Sequence, residues 1–152
     1  VGLRLEKYDW VEQFLYKYNE LLPDDFRENA LTYNLAKLQF AKKNYTQVIQ
    51  LLQTVEYQDI FYSLDSRTTL LKTYYTLDEY EALEANMESF RIYLLRNNVI
   101  SNFTKKQYQN FIRWLRKIIQ TPATKKAYSI LREKIEETIV IADKKWLLQQ
   151  IE

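Results

Sequence analysis

Cysteine and histidine are both absent from the 152 residues, and glycine and proline are nearly so, at 1 and 2 copies. Their absence excludes disulfides, thiol nucleophiles, Cys/His zinc sites, His-based triads and imidazole acid–base catalysis. One glycine leaves little material for hairpin turns or phosphate-cradling loops, so a many-stranded sheet is not expected. Long apolar runs are missing too: stretches such as Ile139 to Ala142 cover a few residues, where about 18 are needed to cross a bilayer. The opening VGLRLEKYDW has no initiator Met and no basic start followed by an apolar stretch. No secretory leader is visible, a cytoplasmic location is expected, and the start itself leads us to expect a piece of a longer protein.

What is present is 47% hydrophobic, 15% aromatic and 28% charged, at a net charge of +2. That is enough for one domain with a sizeable core. The charges are not mixed evenly. Residues 1–100 carry 11 Lys/Arg against 15 Asp/Glu, whereas 101–152 carry 11 against 5. Asp78, Glu79, Glu81, Glu84 and Glu88 run with no base among them; from Lys105 to Arg132 eight cations precede the first acid, Glu133.

Apolar residues recur at i, i+3, i+4 and i+7 throughout, which predicts about eight helices and an all-α fold. The first runs from about Leu3 to Leu22, with Leu5, Tyr8, Val11, Phe14, Tyr18 and Leu21 on one face. Asp25 with Glu28, Asn44 with Gln47, and Asp78 with Glu81 have capping-box spacing and mark three further starts. A fourth helix from about Ile60 to Leu77 carries Phe61, Leu64, Leu70, Tyr74 and Leu77. Residues 98–103 form the longest break, Thr104 opens the sixth helix, and Thr121-Pro122 ends it. The acidic run at the start of the fifth helix suits the positive end of a helix dipole. Thr138 to Ile141 is β-branched and ambiguous.

An offset of 35 residues relates two stretches. Leu35 falls over Leu70, Ala36 over Leu71, Tyr45 over Tyr80, Val48 over Leu83, Leu52 over Met87 and Val55 over Phe90. Such a period is the mark of a repeat architecture. At Tyr33 to Ile49, and at Tyr8, Val11, Leu15, Tyr18 and Pro23, the chain resembles the tetratricopeptide repeat family, whose unit is a helix-turn-helix of about 34 residues. The units are degenerate: Leu71, Val48, Leu83 and Phe90 stand where the family has small residues, and the closing proline is missing from both full units. The resemblance implies a right-handed α-solenoid of antiparallel helix pairs. It divides the chain into a half repeat at 3–23, repeats at 26–58 and 60–97, a divergent pair at 104–139 and a capping helix at 143–151.

In that family the inner faces of the first helices line a groove that binds peptides, and so the resemblance implies a protein interaction scaffold. Two positions after Leu35, Leu70 and Phe111 stand Lys37, Lys72 and Arg113, one cation per helix pair, spaced about 10 Å apart in a stacked array. Tyr33, Tyr75 and Arg116 flank them, with Phe40, Thr68 and Gln109 nearby. A ladder of cations and aromatic faces suits an acidic peptide, although cations are also what solvated helix faces ordinarily carry. Two other partners are open. The basic stretch 101–132 interleaves Tyr108, Phe111 and Trp114 with its cations, as a nucleic-acid accessory module would. The acidic run of one chain could also meet the basic face of another as a homo-oligomer. Carboxylate pairs such as Glu84 and Glu88 lack any His or Cys beside them, so neither catalysis, a metal nor a cofactor is expected.

Overall fold

A computed structural model describes residues 1–53, 55 and 57–152. The chain is all-α, with eight helices and no strand among the described residues. They are α1 (Tyr8–Asn19), α2 (Asp24–Ala41), α3 (Tyr45–Leu52), α4 (Ile60–Thr76), α5 (Tyr80–Arg96), α6 (Asn102–Gln120), α7 (Lys125–Glu137) and α8 (Lys144–Gln149). Two compact units divide it, Val1–Asn86 and Met87–Glu152, with the boundary inside α5. Residues 54 and 56, at the end of the expected repeat 26–58, lie outside the described residues.

In the first unit α2 packs against α1, α3 and α4, and α3 packs against α4. Ala36, Leu38 and Val48 are fully enclosed, with Leu52, Leu64 and Leu71 beside them. Burial of α4 reaches further than its apolar periodicity, because Ser63, Thr68, Thr69 and Thr73 are buried as well. Two of these hydroxyls can go inside because the helix satisfies them: Thr68 Oγ1 donates to the Leu64 carbonyl at 2.8 Å and Thr73 Oγ1 to that of Thr69 at 2.7 Å. Gly2 lies against α1, where a Cβ would stand 2.5 Å from Val11 Cγ2.

The ends of α2 and α4 are built alike. Lys43 and Asp78 both take left-handed backbone, φ 61° and 57°. The Lys43 N–H donates to the Phe40 carbonyl at 3.0 Å and the Asn44 N–H to that of Gln39 at 2.9 Å. In α4 the same pair runs from Asp78 to Tyr75 at 3.2 Å and from Glu79 to Tyr74 at 3.0 Å. This is the double-bonded helix ending that normally uses glycine, here occurring twice at the 35-residue offset without one. The three expected capping boxes are not formed. Pro23 precedes α2, so Asp25 falls inside its first turn, and the corner is held by Arg27, which donates to the Leu22 and Glu20 carbonyls at 2.8 and 2.9 Å. Asn44 does precede α3, but its Nδ2 donates to Gln39 Oε1 at 2.8 Å. Asp78 closes α4 rather than opening α5. Side-chain caps are instead supplied by Asp59, Ser101 and Thr124, which accept from the backbone N–H groups of Tyr62, Thr104 and Ala127. Ser101 starts α6 at Asn102, two residues before the expected Thr104.

Several residues expected on buried stripes are on the surface. Phe61 and Leu77 of the fourth helix are exposed, as are Phe14, Tyr18 and Leu21 near the first. Trp10, Phe14 and Tyr18 instead stack along the outside of α1, with ring centroids 5.2 and 4.2 Å apart.

The second unit closes around Phe111, Leu115 and Ile118 of α6, Leu131 and Ile135 of α7 and Leu147 of α8. Helix α8 packs against both α6 and α7. The ambiguous β-branched stretch is a connection laid along α6: Asn110 Nδ2 donates to the Val140 carbonyl at 2.7 Å and the Ala142 N–H to that of Gln107 at 3.1 Å. Near the end of α8, the Arg132 guanidinium donates to the Leu148 and Ile151 carbonyls at 3.3 and 3.4 Å, where a helix dipole favours a cation.

Candidate functional site

The residues singled out in the sequence fall into two environments. On α2, Lys37 Nζ donates to Asp65 Oδ2 at 2.8 Å, and the Tyr33 hydroxyl donates to the same oxygen at 2.7 Å. The Tyr33 ring packs against Tyr62, centroids 4.5 Å apart, and edge-on against Tyr57 at 6.1 Å. Burial is the main cause that pushes the Tyr33 phenol far above its ordinary pKa, with the Asp65 hydrogen bond and charge adding to it. Tyr33 is therefore a neutral donor, and the Lys37 charge is taken up by a carboxylate of α4. Lys72 and Tyr75 are half-buried on α4.

Arg113 and Arg116, by contrast, line a groove of about 750 Å³ in the second unit, built from one side of α5, α6 and α7. Helical spacing places each set. Gln109, Ile112, Arg113, Arg116 and Gln120 share one face of α6; Ala127, Ile130, Leu131 and Lys134 share one of α7; Arg91 and Leu95 are one turn apart on α5. The floor is apolar, with Ile112 and Leu131 buried, and Leu95 and Ile130 are about half exposed in the walls. Trp114 stands at the side. Its Nε1 donates to Thr138 Oγ1 at 3.1 Å, and the Arg113 guanidinium carbon lies 4.9 Å from its ring centroid, a cation–π contact on one face of the ring.

The electrostatics are one-sided. Arg91 Nε and Nη2 donate to the two Glu88 oxygens at 2.9 and 2.6 Å, and this hydrogen-bonded pair, chiefly, holds the Glu88 carboxyl below the usual carboxylate range. Lys117, Lys134, Arg113 and Arg116 complete the lining, and no carboxylate belongs to it among the described residues. Cations of one sign around an apolar floor focus a positive potential in the groove.

The structure thus brings together Arg113 and Arg116 of the expected residues and places Tyr33, Lys37, Lys72 and Tyr75 in the other unit. Lys117, Lys134, Leu95 and Ile130 were not singled out. The signal was present in α7, where Ala127, Ile130/Leu131 and Lys134 repeat at i, i+3/i+4 and i+7, but it is legible only once α6 and α7 are known to face one space. No group of acids suited to a metal ion occurs among the described residues, and none of their helices is long and apolar enough to cross a membrane. No protein-family model matches the chain, nor does any curated protein or solved structure.

Proposed function

We propose that the chain is a protein interaction scaffold of tetratricopeptide-like helix pairs whose second unit receives an acidic peptide segment bearing bulky apolar side chains. The observation that carries the reading is the groove: Arg113 and Lys117 of α6 and Lys134 of α7 surround an apolar floor, and the lining holds no carboxylate among the described residues. Carboxylates of a peptide would gain charge-assisted hydrogen bonds there, and its apolar residues would cover Leu95 and Ile130. The repeat supports the scaffold part. Lys43 and Asp78 end their helices identically, and Ala36 with Leu71, Val48 with Leu83, and Leu52 with Met87 are buried as matched pairs at one offset.

An oligonucleotide fits this groove less well, because stacking needs an open aromatic face and Arg113 already occupies one face of the Trp114 ring. The test is fluorescence anisotropy with labelled acidic amphipathic peptides and a generic oligonucleotide. Replacing Arg113, Lys117 and Lys134 together by Ala should leave the helical signal intact and weaken the best peptide by about tenfold or more, at roughly 1.5–3 kcal/mol for each charged hydrogen bond lost. Lys37→Ala should leave peptide affinity unchanged. Peptide affinity unmoved by the triple change would remove the proposal, and tight oligonucleotide binding that falls steeply with salt would replace it.

A further inference from the structure

We infer that the outer face of α1 is a self-association surface: two copies of the chain pair their α1 helices antiparallel about a two-fold axis at Phe14. The inference concerns the first unit and does not depend on the groove. Exposed apolar side chains are concentrated at this end of the sequence. Of the eighteen large ones among the described residues, ten fall within the first 26 positions. Helix α1 turns Val11 inward and leaves Trp10, Phe14 and Tyr18 on the surface at 56, 40 and 49% exposure, with Leu21 beyond the helix end at 75%. Single exposed apolar residues are ordinary, whereas a contiguous patch marks a contact surface. Enclosed aromatic rings bury about 150–250 Å² each, so these four side chains leave roughly 400 Å² of apolar surface per copy. At an apolar share of about 60%, this corresponds to an interface of about 1,300 Å² over both copies, within the range of stable pairs.

The stack is symmetric about Phe14. Trp10 and Tyr18 stand four residues before and after it, with ring centroids 5.2 and 4.2 Å from that of Phe14. Antiparallel pairing centred on Phe14 therefore sets Trp10 against the partner's Tyr18 twice, and Phe14 against the partner's Phe14. The helix ends match as well: Asp9 is the acid of the first turn and Lys17 the base of the last, both exposed. Antiparallel pairing brings each Lys17 toward the partner's Asp9 and opposes the two helix dipoles, whereas a parallel pair would set like beside like. A bilayer is the poorer occupant, because residues 1–26 carry three Lys/Arg against six Asp/Glu and an anionic surface attracts bases. The first ring is also held in place beforehand. Gly2 lets the N-terminal turn close on it, where a Cβ would stand 3.2 Å from a Trp10 ring carbon, so little remains to be ordered on docking. Such an isologous contact closes at two copies.

Sedimentation velocity on the whole chain tests the inference. At concentrations up to about 0.1 mM the weight-average mass should rise toward two chains and no further. The association should persist at about 0.5 M salt, since screening weakens charges and not ring packing. Phe14→Glu sets two carboxylates at the axis and should give a monomer with unchanged circular dichroism. Should it fold poorly, Trp10→Ala with Tyr18→Ala should lower the association constant about tenfold or more. Asp9→Lys or Lys17→Asp alone should weaken pairing severalfold at low salt, and the two together should restore it, which a parallel pair would not do. Because the chain has no cysteine, single thiols report the register. Gln13→Cys, beside the axis, should oxidise to a covalent pair; Lys17→Cys should not, its counterpart lying about 9 Å away along the helices. A chain that stays monomeric overturns the inference, as does association that survives both ring variants, or a covalent pair formed through Lys17→Cys alone. Binding of neutral lipid vesicles by a chain that stays monomeric would assign the face to a bilayer and likewise overturn it. The groove's peptide affinity is measured separately, so the proposed function stands or falls apart from these outcomes.

Discussion

Residues 1–86 carry nine Lys/Arg against fourteen Asp/Glu, and residues 87–152 carry thirteen against six. The two units use their cations differently as a result. In the first, Lys37 meets Asp65 at 2.8 Å, Arg27 meets Asp24 at 2.9 Å and Lys42 approaches Glu12 at 3.7 Å. Where acids are in surplus, these bases find a carboxylate and become part of the joints between and within helices. In the second unit Arg132 is absorbed by the carbonyls near the end of α8 and Arg91 by Glu88, yet the groove keeps Arg113, Lys117 and Lys134 with no acid in its lining. A charge becomes available for binding when its own unit lacks the means to neutralise it, and no count over the whole chain reveals this.

The contrast is sharpest if interior and rim of the second unit are changed separately. Phe111 is fully buried, and Phe111→Ala should cost about 3–5 kcal/mol in denaturant unfolding followed by circular dichroism. Arg113→Ala, at the rim, should cost no more than about 1 kcal/mol in the same unfolding, the size of its cation–π contact with Trp114. Equal losses would mean that the groove cations are structural after all.

A smaller effect is expected at the first unit's half-buried pair, Lys37 and Asp65. Asp65→Ala leaves the Tyr33 hydroxyl and Lys37 without their acceptor, at about 1–3 kcal/mol. The same cluster sets an alkaline limit. Because the folded Tyr33 phenol lies above its unfolded value, its contribution is complete below about pH 10 and is lost as pH rises beyond that. Ultraviolet titration should show late-ionising tyrosines, among which burial also raises Tyr57 and Tyr74. Tyr33→Phe should remove the latest of them.

Next in size are the two matched helix ends. Lys43 takes left-handed backbone with a full side chain, so Lys43→Gly should stabilise by about 1 kcal/mol in thermal unfolding. Asp78→Gly should gain less, because it also loses the bond to the Tyr80 hydroxyl. Equal gains at both would show that this bond contributes nothing. The smallest effect concerns Glu88, on the surface beside Arg91. Its carboxyl lies below the usual range, so its small contribution is present above the ordinary carboxylate pKa and lost as pH falls through the folded value. Wild type and Glu88→Gln should therefore converge in stability at low pH, and a gap that persists there would contradict the assignment.

The all-α class, the number of helices and most of their limits were legible in the spacing of apolar residues, since a helix pattern is local and needs no knowledge of neighbours. The 35-residue period was legible for the same reason. The capping boxes were misread because capping depends on the backbone around the acid: Pro23 shifts α2 to start before Asp25, and Asp78 is claimed by the end of α4. Burial on α4 was under-read, since a threonine that donates to its own helix is silent in any hydropathy pattern.

For the candidate site the division is sharper. The amino-acid order alone determined that no imidazole or thiol chemistry is available, and that acids and bases are segregated along the chain. It also placed Arg113 and Arg116 on one stripe of one helix. Only the tertiary structure decided that Lys37 is neutralised by a residue 28 positions away, and that α6 and α7 turn their cations toward one apolar space. Helix periodicity is set by bonds between residues four apart, whereas the partner of a charged side chain is set by how helices pack.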